Sequence, residues 1–167
     1  MTANMTPIDW AKRPLHKYAD FNGRAPRSEY WWFVLAVVVA YIVLSIVESI
    51  AGINRMVLGV YGPLTVLLWI ATLVPQIAVA VRRLHDTDRS GWWILLPIVP
   101  YCVAFALGGA ALMRGGTGTG LGIAGIFLLI GALGAVILLI FMVLAGTPGD
   151  NRYGPNPLGQ AAAAPAE

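Results

Sequence analysis

Four apolar runs organise the chain, and polar blocks and short loops separate them. Residues 31–50, 63–81, 92–112 and 121–145 each approach or exceed the ~20 apolar residues that cross a hydrocarbon core. Glu48 is the one charged residue inside them. None shows the polar face that a helix of a soluble bundle turns toward water. A helix pairs its own amides, as lipid demands. The pattern predicts an all-α fold: an integral membrane four-helix bundle. The connectors, residues 51–62, 82–91 and 113–120, are short, so consecutive helices are expected to pack as antiparallel neighbours.

The N-terminal block is polar and shows no cleavable signal segment. Asp9–Arg13 and Leu15–Phe21 read as two short amphipathic helices interrupted by Pro14. Trp10, Leu15, Tyr18 and Phe21 would supply the apolar side of an interfacial segment; a disordered tail is the alternative. Residues 22–28 read as a turn, with Ser28 as N-cap of the first span. After Ala145, prolines and glycines end the last helix. Residues 1–157 form one expected membrane domain, and 158–167 an expected disordered tail.

Composition supports the membrane reading. Of 167 residues, 58% are hydrophobic, and the mean hydropathy is +0.74, too apolar for a soluble domain of this size. The net charge of +3 does not point to nucleic acid, because the basic residues flank apolar runs. Lys12, Arg13, Lys17, Arg24, Arg27, Arg82, Arg83, Arg89 and Arg152 fall on one side of the four spans. Arg55 and Arg114 fall on the other. Nine against two places both termini and the central connector in the cytoplasm. Tyr30, Trp31, Trp32, Trp92 and Trp93 stand at the same ends, where amphipathic rings favour the interface. The lone Cys102, inside a run, reads as a small core residue.

Residues 82–93 are the densest mixed-charge stretch. Arg82 and Asp86, four apart, are expected to pair if the helix persists. Ser90 can cap the next helix. Arg24, Arg27, Glu29, Asn151 and Arg152 fall on the same side as Arg82, Arg83, His85, Asp86, Arg89, Ser90 and Trp92. Together they make a candidate cap. One reading is structural: the charges tie helix ends together. The functional reading is an anion site, since arginine forks match phosphate and basic pockets beside membrane helices hold anionic headgroups. A metal hydrolase built on His85, Asp86, Asp88 and His16 lacks a second set of spaced ligands. No metal, cofactor or enzymatic activity is expected.

Two intramembrane features remain. Glu48 lies near the outer end of its run, free to snorkel or pair with Arg55. Pro75 would free the Ala71 carbonyl, and Gln76 could satisfy a freed group. A transporter or channel using Glu48 and Gln76 is the rival reading. The Arg114–Gly120 loop lacks the lysine and strand of a phosphate-cradling loop. Gly131 and Ala135, and Ala104 and Gly108, are small pairs that suit close helix packing or a dimer face.

Tyr18-Ala19-Asp20-Phe21-x-Gly23-Arg24-x-x-Arg27-x-Glu29-Tyr30-Trp31, then Pro75, then Arg82-Arg83-Leu84-His85-Asp86-x-x-x-Ser90-Gly91-Trp92-Trp93, then Asn151-Arg152-Tyr153-Gly154-x-x-Pro157, closely resemble domain-of-unknown-function family 805. The resemblance runs from about Trp10 to Pro157. It implies a small helical inner-membrane protein without an established activity, and three blocks that belong together. Asp88 departs from the small residue expected at its place. The reading is a non-enzymatic membrane module whose cap binds an anionic lipid headgroup or a partner protein. Membrane lipids are the expected partners, with a homo-oligomer or another membrane protein left open and nucleic acid excluded.

Overall fold

A computed structural model describes residues 5–53, 61–116 and 118–159 of the chain. The described residues form α1 (Pro7–His16), α2 (Arg27–Ile50), α3 (Pro63–Asp86), a 3-10 turn at Gly91–Ile94, α4 (Leu95–Met113) and α5 (Gly118–Val143). The fold is all-helical, and four of its helical segments are long and apolar enough to cross a membrane. Residues 160–167, most of the expected tail, lie outside the described residues, as does Arg55.

α1 is one helix where two were expected. Thr6 caps it reciprocally. The Asp9 amide donates to Thr6 Oγ1 at 3.3 Å, and the Thr6 amide donates to the Asp9 carboxylate at 2.9 Å. The Thr6 hydroxyl, donating to the Asp9 carboxylate at 2.7 Å, and the Thr6 amide together hold that carboxyl below its ordinary value. Pro14 cannot donate to the Trp10 carbonyl, yet the helix runs on to His16, and Pro14 is buried with Trp10 on one face. Ile8, Leu15, Tyr18 and Phe21 remain exposed. The first long helix begins at Arg27 after an extended Pro26, and Ser28 lies inside its first turn rather than at its cap.

Two helical hairpins make up the spans. In the first, α2 and α3 run antiparallel: Glu48 near the end of α2 meets Leu64 and Thr65 at the start of α3. Midway, the Tyr41 hydroxyl and Thr72 Oγ1 are 3.3 Å apart. Phe33, Val37 and Val79 close with Ala25 into a small apolar core. In the second hairpin, small residues let α4 and α5 nearly touch. A Cβ on Gly131 would lie 2.8 Å from the Tyr101 ring, and one on Gly134 would lie 3.0 Å from the Leu96 carbonyl. That carbonyl is the one Pro100 leaves without its helical amide. Ala124 packs on Gly108, and Gly120 on Ala111. The close-packed partner of Gly131 on α5 is therefore Gly134, not Ala135, and the small residues serve the bundle interior.

The expectation that consecutive helices pack side by side holds within each hairpin. α3 meets the second hairpin differently, through the 3-10 turn and the C-terminal end of α5. The two hairpins thus join at one end of the spans. Their flanks carry exposed aliphatic side chains, as lipid-facing surfaces do. Cys102 is exposed on this surface rather than in a core.

Pro75 lies within α3 and cannot donate to the Ala71 carbonyl. The Tyr18 hydroxyl does so instead, at 2.8 Å. Gln76, expected to fill that role, donates to Thr72 Oγ1 at 2.8 Å on its own helix. Tyr18→Phe should therefore cost about 1–3 kcal/mol, the penalty of an unsatisfied acceptor away from water. In a Pro75→Ala background, where the restored amide serves Ala71, the same change should cost much less. Unfolding titrations of the four proteins in mixed micelles measure both numbers.

Candidate functional site

The joined end is built around the last turn of α3. Successive helical residues point about 100° apart, so Arg82 and Arg83 leave the helix in different directions. Arg82 reaches the first hairpin. Its Nη2 donates to Glu29 at 2.9 Å, and its Nη1 donates to the carbonyls of Asp20 and Lys17. Arg13 of α1 meets the other Glu29 oxygen at 3.3 Å. Arg83 reaches the second hairpin. It donates to the carbonyls of Met142 (3.2 Å), in the last turn of α5, and Leu144, just past its end, and to the Ala25 carbonyl and Asp86. A guanidinium there satisfies orphaned carbonyls and faces the negative end of the helix dipole.

Asp86 receives two arginines. Arg83 binds one carboxylate oxygen, and Arg24 Nε binds the other at 3.0 Å. The remaining Arg24 donors go to main-chain carbonyls of the C-terminal segment: Gly149 at 2.7 Å and Thr147 at 2.8 Å. The Thr147 amide in turn donates to the Asp86 carbonyl at 2.8 Å. Gly146 lies against the Asp86 carboxylate so closely that no Cβ fits there. Arg24, Arg82, Arg83, Glu29 and Asp86 are all buried.

The outer layer is more open. The His85 ring stacks flat on Tyr153, centroids 3.8 Å apart, and its Nδ1 lies 3.2 Å from the Gly23 carbonyl. Asn151 donates to the His85 carbonyl and to Thr147 Oγ1, each at 2.9 Å. Arg152 pairs with Asp88 at 3.1 Å, largely in solvent. Asp88 has a φ of 56°, the left-handed conformation that follows a helix end and suits Gly, Asn or Asp. That backbone demand accounts for the small residue expected there. Ser90 accepts from the Trp92 amide at 3.4 Å and caps the 3-10 turn. Arg89 lies over the Phe141 ring at 4.1 Å. Arg27, at the start of α2, makes a single hydrogen bond among the described residues, to the Val143 carbonyl at 3.5 Å.

The structure thus brings the cap residues read from the sequence to one end, but pairs them differently. Arg82 takes Glu29, not Asp86, because α1 and α2 present a carboxylate on its own face. Arg13, Gly146, Thr147 and Tyr153 belong to the network and were missing from the candidate set. Arg13 stood among the same-side cations and Tyr153 within the third block, while the Gly-Thr step directly after the last apolar run was the visible signal for Gly146 and Thr147. The carboxylates of the His-Asp-x-Asp run are engaged by arginines, and among the described residues no three metal-ligating side chains converge.

At the opposite end, Glu48 is buried and does not reach toward water. Its carboxylate accepts from the Leu64 amide, the Thr65 amide at 3.0 Å and the Thr65 hydroxyl. It therefore caps α3, whose N-cap Gly62 has no side chain, and it lies where a Gly62 Cβ would stand. Gln76 sits about 18 Å further along α3 at 1.5 Å per residue. The structure does not bring the two together.

Four apolar spans, a short N-terminal helix and a buried ionic cluster at one end define a small helical integral membrane protein. The chain belongs to the family described as Protein of unknown function (DUF805), whose model matches residues 18–155. It is 35% identical over 150 residues to the inner membrane protein YhaH of Escherichia coli K12, covering 90% of this chain and 97% of that protein. It is also 35% identical over 151 residues to the inner membrane protein YhaI of the same strain, covering 90% and 96%. The uncharacterized protein YiiR is 32% identical over 141 residues, covering 81% and 84%. No solved structure matches the chain.

Proposed function

We propose that the protein is a non-enzymatic inner-membrane module whose cap faces the cytoplasm and holds an anionic lipid headgroup at Arg27. The nine-to-two distribution of Lys and Arg supports the orientation. The observation that carries the ligand is a difference among the arginines. Arg24, Arg82 and Arg83 are buried and, Arg82 Nε apart, spend their guanidinium nitrogens on partners inside the protein. Arg27 is exposed, lacks a carboxylate partner among the described residues, and lines a recess of about 200 Å³ with Arg24, Thr147, Asn156 and Asp86, whose carboxylate is already held by Arg24 and Arg83. A phosphate there would meet a guanidinium fork and the positive end of α2. The buried arginines are the scaffold that shapes the recess.

Arg27→Gln tests the assignment. Purified gently, the variant should retain severalfold less phosphatidylglycerol or cardiolipin than the parent, with unfolding unchanged within about 0.5 kcal/mol, as for a surface change. Lipid mass spectrometry after extraction reads the difference. Equal retention by the two proteins would overturn the assignment.

A further inference from the structure

A second recess opens on the other side of the cap. Ile77, Val81 and His85 stand at four-residue spacing on one stripe of α3, about 12 Å long. Ser90, Trp92 and Leu95 face them across a groove of about 370 Å³. Gly91 closes its side: a Cβ there would lie 2.8 Å from Val81 Cγ1. The groove exists because α3 meets the next hairpin through the 3-10 turn, leaving space between α3 and α4 below it. Along α3 its wall changes from aliphatic to imidazole. That is the order in which a phospholipid changes from acyl chain to headgroup, and Trp92 and Trp93 mark the interfacial level.

The polar rim selects a kind of headgroup. The Gly23 carbonyl can only accept, so the hydrogen bond to it places a proton on His85 Nδ1. In the neutral ring Nε2 is then a bare acceptor, with no protein partner among the described residues. A phosphate brings only acceptors. An ethanolamine headgroup brings an ammonium with three donors, and Trp92, 78% exposed at the rim, offers that cation an aromatic face. A choline headgroup carries charge but no donor.

We propose that the α3–α4 groove seats one phospholipid with an ethanolamine headgroup, its ammonium on His85 Nε2 and its chain along Val81 and Ile77. The site is separate from the Arg27 recess and uses opposite headgroup chemistry, so either assignment can fail alone.

Native mass spectrometry of the full chain in detergent tests it, with phosphatidylethanolamine, phosphatidylcholine and phosphatidylglycerol of identical chains added in turn. A pH near 8 keeps the imidazole neutral. One phosphatidylethanolamine should bind roughly tenfold more tightly than phosphatidylcholine, the value of one charge-assisted contact. His85→Phe, which keeps a ring to stack on Tyr153, should reduce that preference to within about twofold. Ile77→Trp, remote from the cap network, should remove the bound lipid while the fold persists. Should His85→Phe fail to fold, the parent's headgroup preference and Ile77→Trp decide. Equal binding of ethanolamine and choline lipids would overturn the proposal. So would a preference that survives His85→Phe, or phosphatidylglycerol binding as tightly as phosphatidylethanolamine in an Arg27→Gln background, where the other recess is disabled.

Discussion

Arg83→Met should destabilise the protein by about 3–5 kcal/mol, the usual cost of removing one partner from a buried charged network. The reason lies in what the guanidinium holds. It joins the end of α3 to the carbonyls of Met142 and Leu144 at and just past the end of α5, and to Asp86. Methionine fills similar volume but donates nothing. The α5 carbonyls then lose their cap in a place shielded from water, and Arg24 is left as the only cation on Asp86. Arg152→Met at the exposed pair with Asp88 should cost no more than about 1 kcal/mol, as surface ion pairs do. Unfolding titrations of both variants check the contrast. Similar small losses would mean that the cluster does not hold the two hairpins together.

Glu48→Ala should cost about 2–4 kcal/mol, combining a lost helix cap with amides left unpaired away from water. Glu48→Gln should lose roughly half as much, because an amide oxygen can still accept from Leu64 or Thr65. Neither change should alter proton or solute flux in proteoliposomes, since the carboxylate is committed to the start of α3. A flux abolished by Glu48→Gln at unchanged stability would restore the transport reading.

Much of the architecture was legible in the chain because lipid imposes a simple code. Spans of sufficient length without a polar face leave little choice of fold, and the first and third connectors close hairpins as their shortness suggested, whereas the equally short second one does not lay α4 along α3. The polar blocks also advertised themselves, since arginines are conspicuous beside apolar runs. The pairings were not legible. Arg24 and Arg83 donate largely to main-chain carbonyls, and carbonyls leave no mark in a sequence. The role of Tyr18 was hidden for a related reason. Pro75 announced a missing amide, but the hydroxyl that replaces it comes from 53 residues away. Glu48 looked like an ionisable residue in a span because its partner is the first turn of the next helix, which lacks a capping side chain of its own. Asp88 looked like an added charge, while its position is set by a left-handed backbone.

The account rests on three polar blocks, distant in sequence, sharing one face of the membrane and one network of hydrogen bonds. Side-specific thiol labelling tests this most directly. Single cysteines replace Asn22, Asp88 and Arg152, one per block, and Tyr61 at the other end of α3, in a background with Cys102→Ala. All four natural residues are exposed, so the buried network stays intact. An impermeant maleimide should label positions 22, 88 and 152 from the cytoplasmic side alone and position 61 from the opposite side alone. Any one of the three labelled together with position 61 would contradict the account.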